Sequence, residues 1–213
     1  MTATHTYASD VAFTPAVKSI QTRKGSREGY AHAEQRGWRT EVDENLAAFL
    51  ADANSFYLAT ASADGQPYIQ HRGGPAGFLK ILDEKTLAFA DFGGNKQYIT
   101  IGNLAENPKA YIFIMDYVHQ RRAKLWGTAK VVEGDDALLS SLSDPSYRGR
   151  PERAIVFTLD AWDQNCPQHI PRMLPFDEVK DAIGRLQTRI ADLEAENADL
   201  KNKMRGDRTD PAT

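Results

Sequence analysis

The chain contains a single cysteine, Cys166, which rules out an intrachain disulfide and suits a reducing compartment. It has no apolar run near the roughly 20 residues that a bilayer span needs, so no membrane association is expected. Charge of one sign is also lacking. Against 26 Lys and Arg stand 29 Asp and Glu, a formal net charge of −3. That balance offers no global basic field to nucleic acid, and any anion site must be a local cluster. Met1 to Asp10 lacks the basic end and apolar stretch of a signal peptide, so a cytoplasmic protein is expected. Neither a P-loop nor a Gly-x-Gly-x-x-Gly fingerprint is present, which leaves a Rossmann reading without support. What remains is a chain of 213 residues, 41% of them hydrophobic, enough for one substantial core plus appendages.

Residues 1–40 are polar and broken by Gly and Pro, with a basic stretch at Arg23, Lys24 and Arg27. They read as an N-terminal arm, either solvated or clasping a partner subunit. Thr40 reads as the cap of a helix from Glu41 to Asp52, where Val42, Leu46, Phe49 and Leu50 recur at helical spacing. Short β-type runs follow. Phe56 to Ala61 turns through Ala63-Asp64-Gly65-Gln66 into Tyr68 to Arg72. Phe78 to Leu82 and Thr86 to Ala90 form a hairpin around Asp83-Glu84-Lys85. A short helix is expected from Tyr98 to Glu106, ended by Asn107-Pro108. Tyr111 to Met115, then Ala123 to Val131 and Ala154 to Leu159, complete the strands. In the second of these, Ala123, Leu125, Ala129 and Val131 alternate with Lys124, Trp126, Thr128 and Lys130, so one face is buried. The pattern predicts a mainly β (α+β) fold, a six-stranded antiparallel barrel over residues 41–172 rather than alternating β-α-β units.

The C-terminal segment, residues 173–205, has a different period. Val179, Ile183, Leu186, Ile190, Leu193, Asn197, Leu200 and Met204 are spaced 4-3-4-3-4-3-4. With Ile183, Ile190, Asn197 and Met204 at a, this is the heptad of a parallel two-stranded coiled coil. A lone amphipathic helix on the barrel is the alternative. Arg172 to Lys180 is not a basic run, which argues against a zipper-type DNA-binding protein. Residues 206–213 are polar, carry Asp210-Pro211 and read as a disordered tail.

Three clusters carry chemistry. Gly93-Gly94-Asn95-Lys96-Gln97 sits at a strand-to-helix junction, where glycines allow close backbone approach and the helix start favours a phosphate. Lys96 adds charge, and Asn95 and Gln97 add donors. A solvated hairpin is the plainer alternative. Gln70, His71 and Arg72 end a strand just before Gly73-Gly74, and arginine can grip a phosphate with a forked pair of hydrogen bonds. His71 lacks the partners of a catalytic triad. Arg122, Lys124 and Trp126 share the outer face of one strand, and the tryptophan there needs cover from a flat ligand or a second subunit. Cys166-Pro167-Gln168-His169 is half a zinc site without its other half, so no metal is expected.

Asp64-Gly65-Gln66-Pro67, Arg72-Gly73-Gly74-Pro75, Gly94-Asn95-Lys96, Asn107-Pro108 and Arg121-Arg122 to Gly127 together resemble, in order and spacing, the FMN-binding split barrels related to pyridoxamine 5'-phosphate oxidase. Asp10 to Val17 and Ala161 to Ile170 are similar to one uncharacterised branch of that family. The resemblance implies a homodimer of split barrels with FMN in clefts between the subunits. It implies that Asn95 and Lys96 hold the phosphate, that Arg122 reaches the cofactor, and that Gln70 to Arg72 pass the flavin ring; Gln97 and Trp126 join this cofactor-binding set. The family's C-terminal substrate arginine and histidine have no clean counterpart, since His169 and Arg172 match poorly and a heptad helix follows. The expectation is therefore a flavin-dependent oxidoreductase of unassigned substrate, with NADH or NADPH as a candidate donor. A non-catalytic flavin-binding or stress-related interaction protein, or a barrel using haem or a deazaflavin, are the alternatives.

Overall fold

The computed structural model describes residues 7–165 and 168–206. The chain divides into two compact units, Met1–Asp116 with Gln120–Ile170, and Tyr117–His119 with Pro171–Thr213.

In the first unit, seven strands form one antiparallel sheet: β1 (Ser55–Ala61), β2 (Pro67–Gly73), β3 (Lys80–Ile81), β4 (Thr86–Phe92), β5 (Lys109–Asp116), β6 (Arg121–Val132) and β7 (Pro151–Asn165). Their order is β2-β1-β5-β6-β7-β4-β3. The expected six strands become seven: each β-type run read in the sequence forms its own strand. The Phe78–Leu82 run is shortened to Lys80 and Ile81, which pair with β4 at the edge, because Phe78 and Leu79 are drawn into the core.

The sheet curls on itself. Phe56 of β1 meets Phe89 of β4 edge-on, with ring centroids 5.1 Å apart, although β5, β6 and β7 lie between their strands. Inside the curl, Leu58, Ile112, Ile114, Leu125, Ile155 and Phe157 are buried. The alternation read in β6 is present: Ala123, Leu125 and Ala129 face the core, while Lys124, Trp126 and Thr128 lie half-buried on the other side. Register with β7 shifts between Trp126 and Gly127. A Cβ at Gly127 would stand 2.0 Å from the Thr158 carbonyl oxygen, so only glycine lets the two backbones approach there.

Helix α3 (Glu44–Asp52) closes the core with Leu46, Phe49 and Leu50. It starts later than the expected Glu41, because Asp43 rather than Thr40 is the cap. Asp43 Oδ1 accepts from the Leu46 N–H at 2.9 Å. Just before it, the Val42 N–H donates to the Glu84 carbonyl at 2.7 Å, which holds that segment extended. Helix α4 (Ile99–Glu106) ends at Asn107-Pro108 as expected. A further helix, α5 (Asp136–Leu142), has no counterpart in the sequence reading. Its Leu142 packs with Ala88, Ala90, Ala154 and Val156 on the outer side of the sheet.

The first forty residues, read as an arm, carry a 3-10 turn at Ala8–Val11 and two helices, α1 (Pro15–Lys24) and α2 (Arg27–Arg36). Glu34 is buried against Arg27 and lies 3.3 Å from Lys18 Nζ, which in turn is 2.6 Å from Asp10. The Arg27 hydrogen bond, with help from Lys18, holds the Glu34 carboxyl below the usual glutamate range despite burial. Beyond α2, Trp38 stacks on Trp126 with ring centroids 4.8 Å apart and planes at 29°. Part of the cover for Trp126 thus comes from the chain itself, through Trp38.

In the second unit, one helix, α6 (Phe176–Gly206), begins after Pro175. Among the described residues no helix is long and apolar enough to cross a membrane. Cys166 and Pro167, and residues 207–213 of the expected tail, lie outside the described residues.

Candidate functional site

A cavity of about 450 Å³ opens where the ends of β2 and β4 come together beside the start of α4. It brings together six of the eight residues singled out above: Gln70, His71 and Arg72 from β2, and Asn95, Lys96 and Gln97 from the loop after β4. β2 reaches it because Phe56 and Leu58 fix β1 in the core, and β1 holds β2 in register from Ser55↔Gly73 to Ala61↔Pro67.

The loop is bent in an uncommon way. Lys96 and Tyr98 both have left-handed backbones, with φ of 59° and 56°. Such conformations are costly for non-glycine residues and cluster at ligand-binding segments. Asn95 Oδ1 accepts from the Gln97 N–H at 3.2 Å, which tightens the turn. Tyr98 then serves as the N-cap of α4 without a side-chain cap bond. The open N–H groups and positive dipole end of α4 therefore face the same space as Lys96.

Two arginines sit below this loop. Arg72 donates through Nη1 to Asp91 Oδ1 and through Nη2 to Thr100 Oγ1 at 3.2 Å. Arg153 Nη1 lies 3.4 Å from Asp91 Oδ2, and its Nη2 is 2.8 Å from Glu152. Asp91 is buried between them, and burial pushes its carboxyl up from the ordinary value against the pull of Arg72 and Arg153. Arg72 Nε is buried and makes no hydrogen bond among the described residues. The cavity therefore has three cations, Arg72, Lys96 and Arg153, against two carboxylates, Asp91 and Glu152. Arg153 also lies over the Tyr98 ring, 5.6 Å from its centroid. A phosphorylated ligand with a polar ring suits this donor set: cations and helix N–H groups for the phosphate, Gln70 and His71 for ring edges.

The other two residues, Arg122 and Trp126, lie outside the cavity, on the outer face of β6. Tyr111 stands opposite Trp126 across the β5–β6 pair, and burial, then the nearby Asp163, pushes its hydroxyl up to about 12. On the same face, burial lowers the Lys124 ammonium below its usual value and raises the Asp163 carboxyl above its own. This face is a half-buried polar cluster under Trp38, separate from the cavity.

Sequence reasoning missed Asp91, Thr100 and Arg153. A signal for Asp91 existed: a lone carboxylate at the end of the apolar run Leu87 to Ala90 needs a partner if that strand is buried. Arg153 lies one residue before the expected start of the last strand, Ala154, although β7 in fact begins at Pro151, and nothing in the sequence marks it.

The family model described as pyridoxamine 5'-phosphate oxidase matches residues 42–166, more than half of the chain. The chain belongs to that family. A pyridoxine/pyridoxamine 5'-phosphate oxidase of Cupriavidus pinatubonensis is 28% identical over 129 residues, 61% of this chain and 53% of that protein. The chain thus spans about half the length of this curated relative. Among solved structures, Group A Streptococcus HupZ is 17% identical and superposes over 62% of this chain and 100% of its own, with a TM-score of 0.48. A FAD-binding protein from Mesorhizobium loti is 15% identical over 58% of this chain and 94% of its own, with a TM-score of 0.41. The family match leaves out residues 1–41 and the whole of α6.

Proposed function

We propose that this protein is an FMN-binding oxidoreductase of unassigned substrate, working as a homodimer in the cytoplasm with NADH or NADPH as a candidate electron donor. The observation that carries the reading is the convergence of Arg72, Lys96 and Arg153 with the N-terminus of α4 on one cavity. A dianionic phosphate is the ligand group that such a set recognises best. In this reading Lys96, Asn95 and the first N–H groups of α4 hold the phosphate. Arg72 is fixed by Asp91 and Thr100 and keeps further N–H groups on its two terminal nitrogens for the cofactor, while Gln70 and His71 lie along the ring. Arg122 and Trp126, which lie outside this cavity, reach the cofactor in this reading from a second copy. When bound, the flavin supplies the electron-transfer chemistry; the chain's residues bind it, orient it and set the charge around it.

The absorption spectrum of the purified protein tests the cofactor. Oxidised-flavin bands, with release of FMN on denaturation, support the reading; haem or deazaflavin bands overturn it. Bleaching of the flavin under anaerobic NADH or NADPH supports the nicotinamide donor. A flavin left oxidised by both donors removes NADH and NADPH from the proposal.

A further inference from the structure

Within the second unit, α6 presents an apolar seam that no other described residue of that unit covers. Ile183, Leu186, Ile190, Leu193, Leu200 and Met204 are between 44% and 64% exposed. Side chains this apolar, repeated at the spacing of one helix face over several turns, are not left in water without an occupant. We propose that the occupant is the same helix of a second copy, forming a parallel, in-register, two-stranded coiled coil. This is independent of how the cofactor is held.

Three observations choose a second copy over another protein. First, β-branched Ile183 and Ile190 at a with leucine at d is the pattern that favours two strands. Second, the flanking charges complement themselves. Arg189 at g faces Glu194 at e of the other helix, Glu196 at g faces Lys201 at e, and the earlier pair, Ala182 with Gln187, is neutral. No like-charged g–e pair opposes a parallel alignment among the described residues. Third, Asn197 occupies an a position. In a parallel, in-register pair it meets Asn197 of the other copy, and the two amides satisfy each other. In an antiparallel pair, a faces d, and the amide would be buried against leucine without a partner. The asparagine therefore selects the parallel register as well as the strand number.

Disulfide trapping in the full-length chain tests this. In a Cys166→Ser background, Leu193→Cys places a thiol on the seam and Ala195→Cys places one on the outer face. Mild oxidation is expected to link most of the Leu193→Cys chains into covalent dimers and few of the Ala195→Cys chains. No dimer at position 193, or equal linking at both positions, overturns the proposal. Sedimentation of the unoxidised protein separates the two levels. A flavin-loaded dimer that does not cross-link at position 193 leaves the cofactor reading intact and removes the coiled coil. A second variant, Asn197→Leu, is expected to loosen the selection for two parallel strands, seen as species larger than a dimer or as weaker cross-linking at position 193. Unchanged mass and unchanged cross-linking would overturn the role given to Asn197.

Discussion

Arg72 on β2 and Asp91 on β4 are ion-paired although β1, β5, β6 and β7 lie between their strands in the sheet. Their side chains are 17% and 7% exposed. In so little water a lone carboxylate or guanidinium is costly, so each residue depends on the other. The pair bridges the two ends of the curled sheet at the cavity. The charges that line the cavity thus also hold β2 against β4.

Removing one partner should expose that dependence. Asp91→Asn leaves Arg72 and Arg153 buried without their shared counter-charge and is expected to cost about 3 kcal/mol of stability. Arg72→Met in the same protein should then cost less than it does alone, because the partner it would strand has already gone. Denaturant unfolding of the two single variants and the double variant measures the coupling. Strictly additive losses would show that the two ends of the sheet are held by other contacts.

A second test concerns the cover over β6. Trp38 stacks on Trp126, and Phe13 meets Trp38 edge-on at 5.2 Å. Trp38→Ala should lower stability by about 1–2 kcal/mol, the sum of a partly buried ring and its aromatic contacts. It should also expose Trp126 to iodide. Trp162, 2% exposed, supplies an unquenched reference. An unchanged quenching constant would show that the N-terminal helices do not rest on β6 in solution.

The barrel was legible in the sequence because strand periodicity and turn residues are local. The alternation along β6 and the Asn107-Pro108 stop of α4 needed no tertiary information. The start of α3 was misread because Thr40 and Asp43 are both good caps; the Val42–Glu84 backbone bond, 42 positions apart in the chain, decides between them. Helices α1 and α2 were hidden for another reason. Their order rests on buried polar contacts of Glu34 with Arg27 and Lys18 rather than on an apolar stripe. Half of the cavity was visible as motifs, Gln70 to Arg72 and Asn95 to Gln97. Asp91 and Arg153 were not, since only the register of β4 against β7, Asp91↔Arg153, brings them together.

Glu34 gives the N-terminal helices a pH dependence of known sign. Its carboxyl is held below its usual value of 4.5, first by Arg27 and then by Lys18. A group depressed on folding contributes stability that is complete above the unfolded value and is lost as pH falls through the folded one. The wild type should therefore lose stability below about pH 4.5 more steeply than Glu34→Gln, and the difference between them should be flat above it. Asp91, raised by burial, has the opposite sign but is common to both proteins and cancels in the comparison. Melting temperatures between pH 3 and 7 are the measurement. Parallel curves would mean that Glu34 is not ion-paired in the folded chain.

The cofactor reading stands on Lys96. Its side chain lines the cavity from a left-handed position in the loop, next to the N-terminus of α4, and it has no ion pair among the described residues. If it meets the phosphate, Lys96→Ala should weaken FMN by roughly tenfold, since a charge-assisted bond at an open site is worth about 1.5 kcal/mol. Riboflavin, which has the same ring and no phosphate, should bind the variant and the wild type alike. Fluorescence titration with both ligands separates the two contributions. Arg72→Ala is expected to weaken both ligands, because it also releases Asp91 and loosens β2, so it cannot replace Lys96 in this test. Equal loss of FMN and riboflavin in Lys96→Ala would move the phosphate away from this loop and onto the arginines beneath it.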